Sequence, residues 1–589
     1  MIVQTVKRMV WIFVLHLMAA GIHAQKVSRI SITDFGAVPD SRLDAVPAIR
    51  KALAACKGKS NTILVFPKGR YDLYPDSAAR KEYYLSNTSS EQECPSKWKT
   101  IGMLIEDMKD LVIDGQGSLL IYHGKMITFA LDHSRNIRIR DLDIDFERPS
   151  MSEFIITGRT PTDITVRVHP DSWYRLEGGH LVWYGEGWTA QHAHCIRIDT
   201  GTHTMYYANE AYGALMKAEV SEMAPMHLQF HGRFDTSRWH VGNVFTVRDP
   251  IRDEVGALLL QSKDIGLEQV GMHYMHGLGI LSQYSENISM KEVMVEPRKE
   301  TGRWIASFAD GMHFSGCKGR VVIDGCRFTG LHDDPINVHG THLKIQKKLS
   351  DRRLVVRFMH EQTYGFQAFF ENDSIAYTRP ATLETYAYGK VVSSKRIQPR
   401  EIELVLDSPT PPSMKEGDVI ENISWTPQIS IRHCLITGSN TRGLLVTTRR
   451  KVVIEDNEFR NLGMQAILIA DDALSWYESG PVKDVLIRNN RFMTNGHLIN
   501  PSYTIVIAPE DHQLTGKPVH RNIRIENNQF WNYTDAVLSA RSVEGLRFTG
   551  NKVRYQQAGE PAKKINLEDC KKVEIRDNEW SPVRKSTIK

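Results

Sequence analysis

Beyond about residue 450 the chain repeats one arrangement of apolar and polar positions, apolar-x-apolar-x-x-Asn-x-apolar. It reads "VVIEDNEFRN" at 452–461, "VLIRNNRFMT" at 485–494, "NIRIENNQFWN" at 522–532, "LRFTGNKV" at 546–553 and "VEIRDNEW" at 573–580. The asparagines fall at 457, 490, 528, 551 and 578, so the repeat is 33, 38, 23 and 27 residues long. Alternating apolar residues over four to six positions predict strands, and a unit of this length predicts a solenoid. The same frame with cysteine at the asparagine position fits "VVIDGCRF" (321–328) and "ISIRHCLI" (429–436), with weaker matches at 288–295 and 137–144. Further short strands lie between the marked ones: "GLLVTT", "QAILIA", "TIVIAP" and "DAVLSA". Two or three strands per turn and no intervening helix predict an all-β fold, a right-handed parallel β-helix. Stacked asparagines hydrogen-bond from coil to coil in such a solenoid. Cys326 and Cys434 are then expected in adjacent coils, as buried thiols rather than a disulfide.

Two intervals are too long for one coil. Leu142 to Val270 spans 128 residues and Cys326 to Cys434 spans 108, against about 25–30 for a coil. Segments such as "ITVRVHPDSWYRL" and "EIELVLDSP" inside them alternate and are rich in aromatics. They predict two inserted β-barrel-like domains. At the front, "ITDFGAVPDSRLDAVPAIRKALAACK" reads as a strand, loop and helix that cap the open first coil. Residues 1–24 carry Lys7 and Arg8, then an apolar run, then Ala24. That is the pattern of a signal peptide, with a core too short to span a bilayer. The expected organisation is therefore a signal peptide (1–24), cap and first coils (25–148), insert one (149–255), further coils (256–341), insert two (342–425) and C-terminal coils (426–589). After cleavage the chain is expected in the periplasm or outside the cell.

Charge and cysteine content narrow the function. Lys plus Arg is 74 and Asp plus Glu is 69, a formal +5 without a basic block, which is no footprint for nucleic acid. None of the seven cysteines has C-x-x-C spacing, so no zinc site is expected.

In-register coils allow equivalent residues to be matched strand by strand. "LGILSQ", "DGMHFS", "DPINVH", "RGLLVT" and "QAILIA" align on Ile280, Met312, Ile336, Leu444 and Ile467. Two positions earlier stand Leu278, Asp310, Asp334, Arg442 and Gln465. Asp310 is thus expected beside Asp334, with Arg442 one coil further on and Asp333 at the lip of the same groove. Three clustered carboxylates have two readings: a calcium site or solvated turn, or paired groups for acid–base work. Calcium takes six to eight oxygens, and His313, His332, His339 and Arg442 supply none, which favours the second reading. Glycoside hydrolysis uses one carboxylic acid on the leaving oxygen and another carboxylate on water. Stacking suggests Asp310 and Asp334 for the water and leaves Asp333 as the acid. His313 and Asn337 share the next aligned column and are sugar-contact candidates. His332 and His339 flank the pair and are candidates to orient it and to contact substrate, and Trp304 is a possible stacking platform.

"ADGMHFSGCKGRVVIDGCRFTGLHDDPINVHG" at 309–340 resembles the α-1,3-galactosidases of glycoside hydrolase family 110. The resemblance extends over essentially the whole mature chain: signal peptide, β-helix and β-barrel insertions. It implies exo-acting, inverting hydrolysis of terminal α-1,3-linked galactose, as in blood group B-type glycans, with no metal or other cofactor. By motif, Asp333 would be the general acid, while Asp310 and Asp334 position or activate water. Polygalacturonases also place an Asp one coil before an Asp-Asp pair, but the Gly-His-Gly and Arg-x-Lys of that family are missing from "NTRGLLVTTRR". Another β-helix glycosidase, a polysaccharide lyase and a non-catalytic glycan-binding protein remain the alternatives.

Overall fold

The computed structural model describes residues 27–190, 194–248, 251–499, 502–558 and 564–583. The expected signal peptide, 1–24, lies outside the described residues. Most strands of the chain stack in parallel as coils of a β-helix. One face fixes everything that follows. Ala257, Ile280, Met312, Ile336, Leu444, Ile467, Ile505, Leu538 and Ile565 pair successively, coil upon coil. From Ala257 to Leu538 these side chains are fully buried, so the core is a column of matched aliphatic residues. A one-residue slip would turn that column to the outside, which pins the register.

The asparagine ladder stands at a corner of the coils. Asn457, Asn490 and Asn528 each donate from Nδ2 to the Oδ1 of the next asparagine, at 3.0 Å. Their backbone N–H groups donate to the same oxygens. The second amide proton of each goes to a carbonyl of the preceding coil, such as Ile487 O for Asn528 at 3.0 Å. Cys434 extends the column, its N–H donating to Asn457 Oδ1 at 2.9 Å. Cys326 lies one coil before it, and both cysteines are buried thiols. Phe459, Phe492 and Phe530 stack beside the ladder with centroids 4.8–4.9 Å apart. The front is closed by the helix Val46–Cys56, which buries Val46, Ile49, Ala52 and Leu53.

Both inserts leave and rejoin without disturbing the stack: Arg135–Phe146 pairs directly with Lys263–Met272, and Lys318–Asp324 with Gln428–Arg432. The first insert is a seven-stranded antiparallel sheet from Met151–Arg159 to Val244–Arg248, with a three-stranded sheet and one short helix against it. The second is a closed antiparallel barrel of six strands. One long strand, Ile336–Ser350, begins in a coil and ends in this barrel. The expected boundary at 341/342 therefore falls inside a strand: the apolar phase shifts between Val338 and Leu343, but the extended backbone runs on from coil to barrel without a break.

Asn528 is fully buried and carries the ladder in both directions. Asn528→Ala leaves amide and carbonyl groups unpaired, at about 1–3 kcal/mol each. We expect a loss of about 3 kcal/mol in urea unfolding; a loss under about 0.5 kcal/mol would mean the ladder does not hold the coils.

Candidate active site

The matched column carries the site two residues upstream of its aliphatic members. Met312 pairs with Ile336 and Ile336 with Leu444, so Asp310, Asp334 and Arg442 follow one another along the stack. Gly311 N–H donates to Asp334 O at 3.0 Å, which locks the two aspartates' backbones one strand spacing apart. A Cβ at Gly311 would lie 2.6 Å from the Pro335 carbonyl, so only glycine fits after Asp310 at that approach. Pro335 holds Asp334 extended, and its carbonyl accepts from Met312 N–H at 2.9 Å.

Asp310, Asp333, Asp334, His313, Asn337 and Arg442 line one pocket. Asp310 and Asp334 are 3% exposed, whereas the Asp333 side chain is 28% exposed, toward the mouth. Burial, then the charges of Asp333 and Asp334, push the Asp310 carboxyl well above the usual range. Burial raises Asp334 to about 6, with Arg442 opposing and Asp333 adding to the rise. Arg442 N–H donates to Asp334 Oδ1 at 3.2 Å, and its Nε lies 3.6 Å from Oδ2. Arg252 donates from Nη1 to Asp333 Oδ2 at 3.2 Å. Asn337 Oδ1 is buried without a protein partner, an acceptor free for a ligand hydroxyl.

Three expected contacts are corrected. His332 is buried behind the aspartates, bonded to Thr246 Oγ1 of the first insert at 2.7 Å, and does not line the pocket. His339 is equally buried and stands behind His313, 2.8 Å away between Nε2 atoms. Trp304 packs against the core and His203, and lines a separate cavity with Glu153 and His169. The alternation that made these residues candidates gives strand faces, not the side on which an insert covers them.

The sequence reading missed the rest of the wall. Arg252 comes from the segment after insert one, Asn87 from an N-terminal loop, and Trp476 and Glu478 from the turn beyond Ile467–Ile469. Asn87 Nδ2 donates to Glu478 Oε1 at 2.8 Å, while Thr363 of insert two donates to Asn87 Oδ1 at 3.1 Å. Trp476 is 41% exposed and stacks one face on His360 of insert two at 4.1 Å. Asp472 both accepts three backbone N–H groups of its loop and lines the pocket beside Glu510. Glu510 is raised to about 7 by burial and by Asp472. Apart from Glu478, in the two-residue strand Glu478–Ser479, these residues sit in irregular segments without periodicity.

Among the described residues, one His/acid cluster has the donor set for a metal: His313, His339 and Glu478. Tetrahedral zinc with bonds of about 2.0–2.1 Å holds its ligand nitrogens about 3.3 Å apart. The two Nε2 atoms lie 2.8 Å apart, which is hydrogen-bond distance and too tight for that ion.

Family models match the GLAA-B beta-barrel domain I at 152–245, the GLAA-B beta-barrel domain II at 353–420 and a right handed beta helix region at 419–582. The α-1,3-galactosidase A of Bacteroides fragilis is 46% identical over 540 residues, covering 91% of this chain and 89% of that protein. Two proteins of Bacteroides thetaiotaomicron, α-1,3-galactosidases A and B, are each 38% identical. They cover 90% and 93% of this chain, and 93% and 90% of their own lengths.

Asp334 is expected to titrate near 6, and Arg442→Gln to raise that value by removing the adjacent cation. Difference infrared spectra against Asp334→Asn read both; a wild-type titration below about 4 would contradict the site's electrostatics.

Proposed function

The chain belongs to the α-1,3-galactosidase family, and from that premise we propose that it is an exo-acting, inverting glycoside hydrolase taking terminal α-1,3-linked galactose from glycans. The observation that carries the mechanism is the stack of Asp310 and Asp334 on adjacent coils with Asp333 beside them at the mouth. Inversion needs an acid on the leaving oxygen and a carboxylate that deprotonates water on the opposite face. Asp333 is the acid. Arg252 holds its Oδ2, which leaves Oδ1 for the leaving-group oxygen at the open side. Asp334, ionised above about 6, and Asp310 hold and deprotonate the water. Asn337 and Arg442 face the same space and supply hydroxyl partners, while His313 lines it with both ring nitrogens already engaged by Asp310 and His339.

The enclosed wall supports exo action. An unmodified β-helix face is an open groove, whereas Asn87, Arg252, Trp476 and Glu478 close this one on several sides. Branched blood group B-type structures are the proposed substrates, with linear α-1,3-galactosides as a second class. The apolar segment at the N-terminus supports export.

Removing an acid catalyst hurts most when the leaving group is poor. Asp333→Asn is expected to lower kcat on an α-1,3-galactobioside by about 10³ or more and on an aryl α-galactoside far less. Equal losses on both would remove Asp333 from the acid's role. Failure of the wild type to release galactose from any α-1,3-galactoside would overturn the reading as a whole.

A further inference from the structure

Behind Asp310 the hydrogen bonds continue away from the pocket. Asp310 Oδ2 lies 2.8 Å from His313 Nδ1, and His313 Nε2 lies 2.8 Å from His339 Nε2. His339 Nδ1 lies 2.6 Å from the Gly340 carbonyl oxygen, and Glu478 Oε1 stands 3.5 Å from His339 Nε2. Both rings are 1% exposed. A carbonyl oxygen carries no proton, so His339 Nδ1 must be protonated. The Nε2 pair needs one proton between its two nitrogens, and the Asp310–His313 contact needs another. Three contacts therefore hold three protons, whereas two neutral imidazoles bring only two.

We propose that Asp310, His313 and His339 form a relay sharing three protons, through which Asp310 becomes a carboxylate without releasing a proton to solvent. The proposal rests on the reading that Asp310 helps to deprotonate the attacking water. In one form Asp310 is an acid donating to His313 Nδ1, and His313 Nε2–H donates to His339 Nε2. In the other, both protons have moved one place along the chain. Asp310 is then an anion accepting from His313 Nδ1–H, and His339 is an imidazolium beside Glu478. The three groups carry zero net charge in both forms, and no proton enters or leaves.

The surroundings explain the need for such a device. Burial comes first, and Asp334 and Glu478 face Asp310 with like charge, joined by Asp333 whenever it is ionised; Arg252 and Arg442 oppose them, and the balance holds Asp310 in its acid form. Burial above all, then the neighbouring His339 ring and Arg252, disfavours a cation on His313. Glu478 makes His339 the place where the positive charge can rest. During attack the water oxygen bonds to the anomeric carbon as the bond to the leaving oxygen breaks. The water's proton passes to the Asp310 or Asp334 carboxylate, and the Asp333 proton goes to the leaving oxygen. His339 touches no substrate; it is a positioning residue acting through His313.

His339→Gln keeps an amide that can accept from or donate to His313 Nε2 but cannot gain a proton. In the wild type the acidic limb of kcat/KM follows Asp334, about 6. In the variant Asp310 must lose its proton to solvent, so that limb should move up by about one unit or more. We expect kcat to fall about 10-fold or more with KM within about 3-fold, and Glu478→Gln to shift the limb the same way by less. A lowered kcat with an unmoved limb in both variants would overturn the relay. Neutron diffraction of the wild type supplies a readout independent of activity and of folding of the variants. Three deuterons along the chain are expected; two, or a metal ion between the rings, would overturn it. An inactive wild type would instead sink the galactosidase reading and leave the deuteron count to be judged separately.

Discussion

Parallel strands held in register oblige each residue of a coil to sit against its equivalent in the next, and everything functional here depends on that constraint. Burial of the Ile280, Met312, Ile336, Leu444 and Ile467 column sets the alignment. Two residues upstream, the same alignment forces Asp310 against Asp334 and Arg442 beyond them. Like charges at one strand spacing repel. The fold supplies that juxtaposition as a by-product of aliphatic packing, and hydrophobic burial in the column offsets its cost.

The repulsion is managed rather than removed. Arg442 ends the acidic column, Arg252 reaches Asp333 from the segment after the first insert, and His313 takes one oxygen of Asp310. Each aspartate thus has a different partner and a different exposure, which separates three identical side chains into three roles. The two deep carboxylates lie above the usual range, while the third faces the opening through which a leaving group departs. The inserts do more than narrow the groove, since Thr246 of one holds His332 and Thr363 of the other holds Asn87.

The repeat was legible because asparagine and aliphatic positions recur along the chain, and the three aspartates were legible because register follows from that repeat. His313 and Asn337 were found for the same reason and do share a column. Arg252, Asn87, Trp476 and Glu478 were not, since they arrive from loops whose path no period describes. His332, His339 and Trp304 were misplaced on the pocket surface for a related reason: strand alternation says which face a residue takes, but an insert decides whether that face meets solvent or protein. Asp472 escapes sequence reading for another reason, since it is a turn-forming carboxylate that also reaches the pocket.

The central claim is that stacked carboxylates deliver water to the sugar face opposite the leaving group, so the stereochemistry of the first product tests it most directly. Proton NMR of an α-1,3-galactoside digested by the wild type, followed before mutarotation, should show β-galactose appearing first. Initial α-galactose would mean retention through a covalent intermediate, and would contradict the assignment of Asp310 and Asp334 to the water.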